Sequence, residues 1–175
     1  MLTLVLGGAR SGKSRYARSL CGAGPVLFVA TARPDGDPAW RARIDAHRRE
    51  RPPSWETREE PVEVVGAVAG MDAGSVALVD CVTLWISNLC WEARHRSAAE
   101  REQGVLERID ALATVAAQRD VIAVSNEVGS GIVPEHPVAR EFRDLHGRAN
   151  QRLSAAAGRA VLLVAGLPLT LKGPS

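Results

Sequence analysis

Apolar residues fall along the chain in short unbroken runs, separated by longer stretches in which alanine and arginine are mixed with leucine. TLVL (3–6), VLFVA (26–30), VALVD (76–80), VIAVS (121–125) and VLLVA (161–165) have the length and composition of strands. Each is nearly continuous in apolar character, so each is expected to be covered on both faces. The segments near 13–22, 38–51, 84–117 and 137–157 have the length and polarity of helices. Strands that alternate with helices in this way predict an α/β fold with a mostly parallel central sheet flanked by helices. The closing LPLTLKGPS adds an edge strand. Residues 32–38 and 51–61 are the loop-rich stretches, with prolines at 34, 38, 52, 53 and 61. No internal repeat, low-complexity tract or linker divides the chain, and residues 1–175 are expected to form one domain.

Composition changes this picture little. Apolar residues make up 46% and charged residues 24%, ordinary values for a soluble globular protein. A net charge of +2 is too small to point to a nucleic-acid partner. Lysine occurs only at 13 and 172, so arginine carries the positive charge. Arginine suits phosphate recognition, but a genome-wide bias accounts for the skew equally well. Cys21, Cys81 and Cys90 are odd in number and show no C-x-x-C pairing, which predicts a reduced protein without structural disulfides or a zinc site. The opening MLTLVLGG has no charged stretch ahead of it and meets glycine by residue 7, so neither a signal peptide nor a membrane span is expected, and the location expected is cytoplasmic.

The strongest chemical signal is GGARSGKS, residues 7–14, which fits G-x-x-x-x-G-K-[ST] between a strand and a helix. Glycine lets the backbone turn tightly, so that the N–H groups of Gly7, Gly8, Ala9, Arg10, Ser11 and Gly12 can face phosphate oxygens. Lys13 would reach the β- and γ-phosphates, and the Ser14 hydroxyl would hold Mg²⁺. The motif thus predicts a P-loop NTPase fold. Such a site works with an acid at the end of another apolar strand, and VALVD supplies Asp80 as a second magnesium ligand. The alternative role for Asp80 is to cap the following helix.

A second pattern lies in the segment DPAWRARIDAHRRERPP. Asp37-Pro38 is a helix start and Pro52-Pro53 enforces its stop. His47 therefore sits near the end of a short helix among Arg41, Arg43, Arg48, Arg49 and Arg51. A histidine that attacks a nucleotide phosphorus must be neutral. Neighbouring guanidinium groups favour that form, whereas the carboxyl end of a helix favours the protonated ring by up to ~2 kcal/mol. The sequence leaves that competition open.

Several stretches together resemble the bifunctional adenosylcobinamide kinase / adenosylcobinamide-phosphate guanylyltransferase family. They are GGARSGKSRYA, ATA, the run RI-x-x-H-R-x-x-RP-x-x-W-x-T-x-E, LVDCVTLWISNL, SNEVGSGIVPE and AREFRDLHGRANQRLSAAA. The resemblance covers nearly the whole chain in the same order. It implies two steps of adenosylcobalamin assembly. ATP or GTP phosphorylates adenosylcobinamide, and the GMP unit of GTP then passes to adenosylcobinamide phosphate, giving adenosylcobinamide-GDP and pyrophosphate. It also implies that His47 carries GMP covalently between donor and acceptor. The nucleotide contacts it implies are Gly7 through Ser14, Thr31, Ala32, Arg33, Arg48, Arg49, Glu50, Arg51, Glu59 and Asp80. In this scheme Arg48 and Arg51 would steady the α-phosphate or the guanylylated intermediate. A homotrimer is implied as well, with an apolar groove between subunits suiting the corrinoid. One departure is the stretch RPDGDPAW after ATA, one residue longer than the acidic stretch usual in the family.

Other residues have less defined roles. Asn126 and Glu127 end a strand, where open α/β sheets place ligand contacts, and a turn role for Glu127 is the alternative. Asn150, Gln151 and Arg152 would serve an interface or a solvated face, and His95, His136 and His146 are structural or surface residues. Two rival functions stand beside the family reading. One is a P-loop kinase for another small molecule, with His47 inert. The other is a nucleotide-dependent switch, which would carry N-K-x-D where this chain reads SNEVG.

Overall fold

The computed structural model describes residues 1–34 and 37–174. Its strands and helices follow the expected alternation. They are β1 (Leu2–Gly7), α1 (Lys13–Ser19), β2 (Val26–Ala30), α2 (Pro38–Arg49), β3 (Glu56–Glu59), α3 (Val64–Ala69) and β4 (Val76–Asp80). Next come α4 (Val82–Glu92), α5 (Ala98–Ala116), β5 (Asp120–Asn126), α6 (Pro137–Ala156), β6 (Arg159–Val164) and β7 (Leu167–Lys172). The seven strands form one sheet in the order β3-β2-β4-β5-β1-β6-β7. Every pairing is parallel except β6 with β7, so the closing strand is an antiparallel edge, as the LPLTLKGPS stretch suggested.

The unbroken apolar strands are explained by two cores, one on each face of the sheet. Leu2, Leu4 and Leu6 of β1 face the layer of α3, α4, α5 and α6, where they meet Trp85, Ile109, Leu112 and Leu153. Val5 of the same strand faces the α1 layer with Ala17, Phe28 and Val161. The alternation continues in β4, where Ala77 and Val79 face one layer and Leu78 the other. Period-two geometry thus demands apolar side chains at every position of a strand covered twice. Trp85, fully buried, keeps its indole N–H satisfied by the Val62 carbonyl at 2.8 Å.

Two expectations need correction. The helix expected over 84–117 is two helices, broken at residues 93–97. Ser97 caps α5 by accepting from the Glu100 amide, while the Glu100 carboxylate accepts from the Ser97 amide. The stretch 51–61, expected to be loop, contains β3, whose ETRE sequence carries no apolar residue. As the far edge strand it is held by backbone pairing to β2 and has little surface to bury. The loop expected over 32–38 has residues 35 and 36 outside those described, and with them the core of the RPDGDPAW departure. Among the described residues, no helix is long and apolar enough to cross a membrane.

Candidate active site

The carboxyl end of β1 runs into a loop with the geometry of a phosphate cradle. Gly12, just before α1, has φ +91, and Arg10 also lies in the left-handed region with φ +57. A side chain at Gly7 would press on Ser11 and come within 2.9 Å of the Leu163 carbonyl, so only glycine lets the loop pass there. The Lys13 ammonium folds back onto the loop and donates to the Gly8 carbonyl at 3.0 Å. Burial lowers the pKa of Lys13 and the Arg43 charge adds to the effect, while Cys81 and Asp80 oppose it.

Asp80 ends β4, two strands from β1, and faces the same space. Burial pushes its carboxyl above the usual carboxylate range. A hydrogen bond with Ser14 is the largest opposing influence, followed by the charges of His47, Lys13 and Arg18. The turn after Asp80 is clamped by Thr31 at the end of β2. The fully buried Thr31 hydroxyl donates to the Cys81 carbonyl and accepts from the Cys81 amide, both at 2.8 Å. Burial, with the Asp80 charge, pushes the Cys81 thiol up to about 11, so it stays a thiol near neutral pH.

Helix α2 closes the site from above. Asp37 caps it by accepting from the Trp40 amide at 2.9 Å, Pro38 opens it, and the chain leaves toward Pro52-Pro53, as the sequence predicted. Its single buried residue is Ile44. Two further contacts hold it in place. The Trp40 indole donates to the Arg33 carbonyl at 2.9 Å, and Glu50, just past the helix, pairs with Arg18 of α1 at 2.9 Å. The half-buried His47 consequently faces the cradle.

Two cavities meet there. An inner one of about 110 Å³ lies between β2, β4 and α2, and its wall includes Lys13, Ser14, Ala32, His47, Arg51 and Asp80. An open basin of about 820 Å³ lies over the loop, lined by Arg10, Ser11, Gly12, Lys13, Ser14, His47 and Glu50 among others. Lys13, Ser14, Arg43 and His47 belong to both walls. The structure therefore brings the two sequence signals, the cradle and the histidine, to one place.

Other residues expected at the site lie on neither wall. Gly7, Gly8 and Ala9 shape the loop behind it, and Thr31 serves the Cys81 clamp. Arg33 turns to Glu92 on α4 at 2.6 Å. Arg48 and Arg49 line neither cavity, and Glu59 accepts from Arg48 Nε at 3.2 Å and Arg51 Nη1 at 3.1 Å. Sequence reasoning did not assign the wall residues Phe28 and Leu84, contributed from β2 and α4, nor Trp40 and Ile44 on α2, and it named Arg43 only as one of the arginines near His47. Asn126, singled out as a strand-end residue, does line the inner cavity. Its amide donates to Thr83 at 2.9 Å and its carbonyl accepts from Asn150 at 3.1 Å. Asn150 is thus an internal support rather than an interface residue. Glu127 takes its turn role, accepting from the Gly129 amide at 2.9 Å.

The oxygen donors of Ser14 and Asp80 are hard ligands of the kind Mg²⁺ prefers. Among the described residues no group of three or more His, Cys, Asp or Glu could hold a metal by itself. The pair therefore fits an ion that takes its remaining ligands from phosphate and water, the usual habit of Mg²⁺ at nucleotides.

Comparison with known proteins gives a consistent answer. Residues 3–171 match the family model described as cobinamide kinase / cobinamide phosphate guanyltransferase. The bifunctional adenosylcobalamin biosynthesis protein CobU of Escherichia coli is 40% identical over 98% of this chain and 100% of its own length. The protein of the same name from Salmonella typhimurium is 39% identical over the same shares. Bifunctional adenosylcobalamin biosynthesis protein CobP of Pseudomonas aeruginosa is 40% identical over 99% of this chain and 98% of its own.

Proposed function

The chain belongs to the cobinamide kinase / cobinamide phosphate guanyltransferase family, and on that premise we propose that it runs both reactions of adenosylcobalamin assembly at the shared wall of its two cavities. In the first, ATP or GTP gives its γ-phosphoryl group to the hydroxyl of adenosylcobinamide. In the second, GTP gives GMP to His47, and the GMP then passes to adenosylcobinamide phosphate. The observation that carries this reading is the membership of His47, Lys13 and Ser14 in both cavity walls.

In the kinase reaction the amides of residues 8–14 hold the β- and γ-phosphates, and Lys13 leaves the Gly8 carbonyl to offset charge on the transferring group. Ser14 and Asp80 would hold Mg²⁺, which supplies neutralisation of phosphate oxygens when bound. In the guanylyl reaction the bond broken lies between the α- and β-phosphates, so the same cradle holds pyrophosphate as its charge develops. A covalent relay through His47 divides one difficult transfer into two easier ones. Of the remaining residues of the sequence reading, Arg33, Arg48 and Glu59 fit a supporting frame around the site better than direct contact, since ion pairs occupy them and they lie on neither wall, whereas Arg51 lines the inner cavity and is held there by Glu59. We also read the protein as a homotrimer, supported by apolar side chains left exposed on α4, α6 and β7.

The test uses GTP labelled at the α-phosphate. With Mg²⁺ the protein should take up label that resists base and is lost in mild acid, as phosphorus bonded to imidazole is. His47→Ala should take up none. Equal labelling of the variant would end the relay role.

A further inference from the structure

The arginines around His47 look alike in sequence, but their surroundings differ. Arg48 and Arg51 share the Glu59 carboxylate, and the Arg51 guanidinium also stacks on Phe28 with 4.2 Å to the ring centroid. Arg18 is paired with Glu50. Arg43 has no ion-pair partner among the described residues, and its guanidinium lies only loosely over Trp40, 5.9 Å from the ring centroid. It stands one helical turn before His47 on α2, and residues four apart project from the same face. It is on the wall of both cavities, as His47 and Lys13 are.

We propose that Arg43 is the guanidinium that contacts the α-phosphate during transfer to His47, making it a catalytic residue of the guanylyl reaction. The inference rests on the histidine relay proposed above. In that step a ring-nitrogen lone pair forms the N–P bond. The bond from the α-phosphorus to the bridging oxygen breaks, and its electron pair leaves on pyrophosphate. The other ring nitrogen releases its proton to water. Charge on the non-bridging α-oxygens is redistributed as the phosphorus passes through five-coordination, and a planar fork of N–H donors matches those oxygens. Arg48 lies on neither wall and is paired with Glu59, and Arg51 reaches only the inner wall, with its guanidinium held between Glu59 and the Phe28 ring. Arg43 breaks no ion pair to reach the phosphate.

The experiment compares Arg43→Gln with Arg41→Gln, an exposed arginine of the same helix that lies on neither wall. Each is tested for the rate of acid-labile labelling at saturating α-labelled GTP and, separately, for GTP affinity. Arg43→Gln should slow labelling about 100-fold or more, as loss of a transition-state donor does, with affinity held within about threefold. Arg41→Gln should label as the unaltered protein does. An undiminished rate in Arg43→Gln overturns the role. So does a loss confined to affinity, or an equal loss in Arg41→Gln. No label on the unaltered protein would instead sink the relay itself, and this role with it.

Discussion

Lys13 shows how a single residue is held ready. Its ammonium donates to the Gly8 carbonyl, so the half-buried charge has a hydrogen-bond partner. On the proposed reading, a bound nucleotide would exchange that carbonyl for phosphate oxygens. Lys13→Ala should therefore lower phosphoryl transfer to adenosylcobinamide by about 100-fold or more at saturating nucleotide, measured as phosphorylated product per unit time. Unchanged turnover would remove the cradle from the mechanism. The position of Lys13 beside the loop was legible in the sequence because its spacing from the glycines is local. Arg43 was not. Within RARIDAHRRER five arginines surround one histidine, and only tertiary packing pairs Arg48 and Arg51 with Glu59 while leaving Arg43 on the cavity walls. Thr31 was expected as a nucleotide contact; in the structure its hydroxyl clamps the turn after Asp80, a contact across 50 positions that no local pattern announces.

Elements were read well where the apolar pattern was strong. All five sequence-predicted inner strands are present, and α2 begins at the expected Asp37-Pro38. The short polar β3 and the six-residue α3 carry too little periodic signal to be seen. The break before α5 had a signal, the Ser97-x-x-Glu100 pair, that the long alanine-rich stretch masked. Helix α6 contains a further surprise. His146 is fully buried beside Thr83, with Nε2 3.0 Å from the Thr83 hydroxyl, and near Ser125 and Asn150. Burial lowers its pKa from 6.5 to about 4, with the Glu127 charge opposing. Since the folded value lies below the unfolded one, the unfolded chain binds more protons between them. The contribution to stability is therefore complete above pH 6.5, declines as the pH falls toward 4, and levels off below. The full decline amounts to about 3 kcal/mol. Chemical unfolding of the unaltered protein and of His146→Gln at pH 7.5 and pH 4.5 checks this. The variant should lose less stability on acidification, and equal losses would show that the ring does not supply the pH dependence.

At the scale of the whole molecule, covering the sheet on both faces leaves certain apolar side chains without a place inside. Trp91 on α4, Val138 on α6, and Ile132 and Val133 in the connection between β5 and α6 are all more than half exposed. So are Val164 on β6 and Leu167, Leu169 and Leu171 on β7, the three leucines alternating onto one face of the edge strand. Groups of this kind on one small chain favour association. Contact between unlike patches of successive copies closes into a ring when the rotation between them allows it, and three copies form the smallest ring beyond a dimer. The proposed homotrimer predicts light scattering at three times the 18.7 kDa chain mass at micromolar concentration. Leu169→Asp places a charge on the exposed face of β7, and Val138→Asp does the same at the start of α6. Both side chains are more than half exposed, so the helical signal in circular dichroism should be kept while at least one variant shifts toward a single chain mass. A single chain mass for the unaltered protein would refute the trimer. Retention of three chain masses by both variants would show that the interface lies elsewhere on the surface. The sequence pattern could identify these residues as apolar but could not tell that they would remain outside, because exposure is decided by which helix covers which part of the sheet.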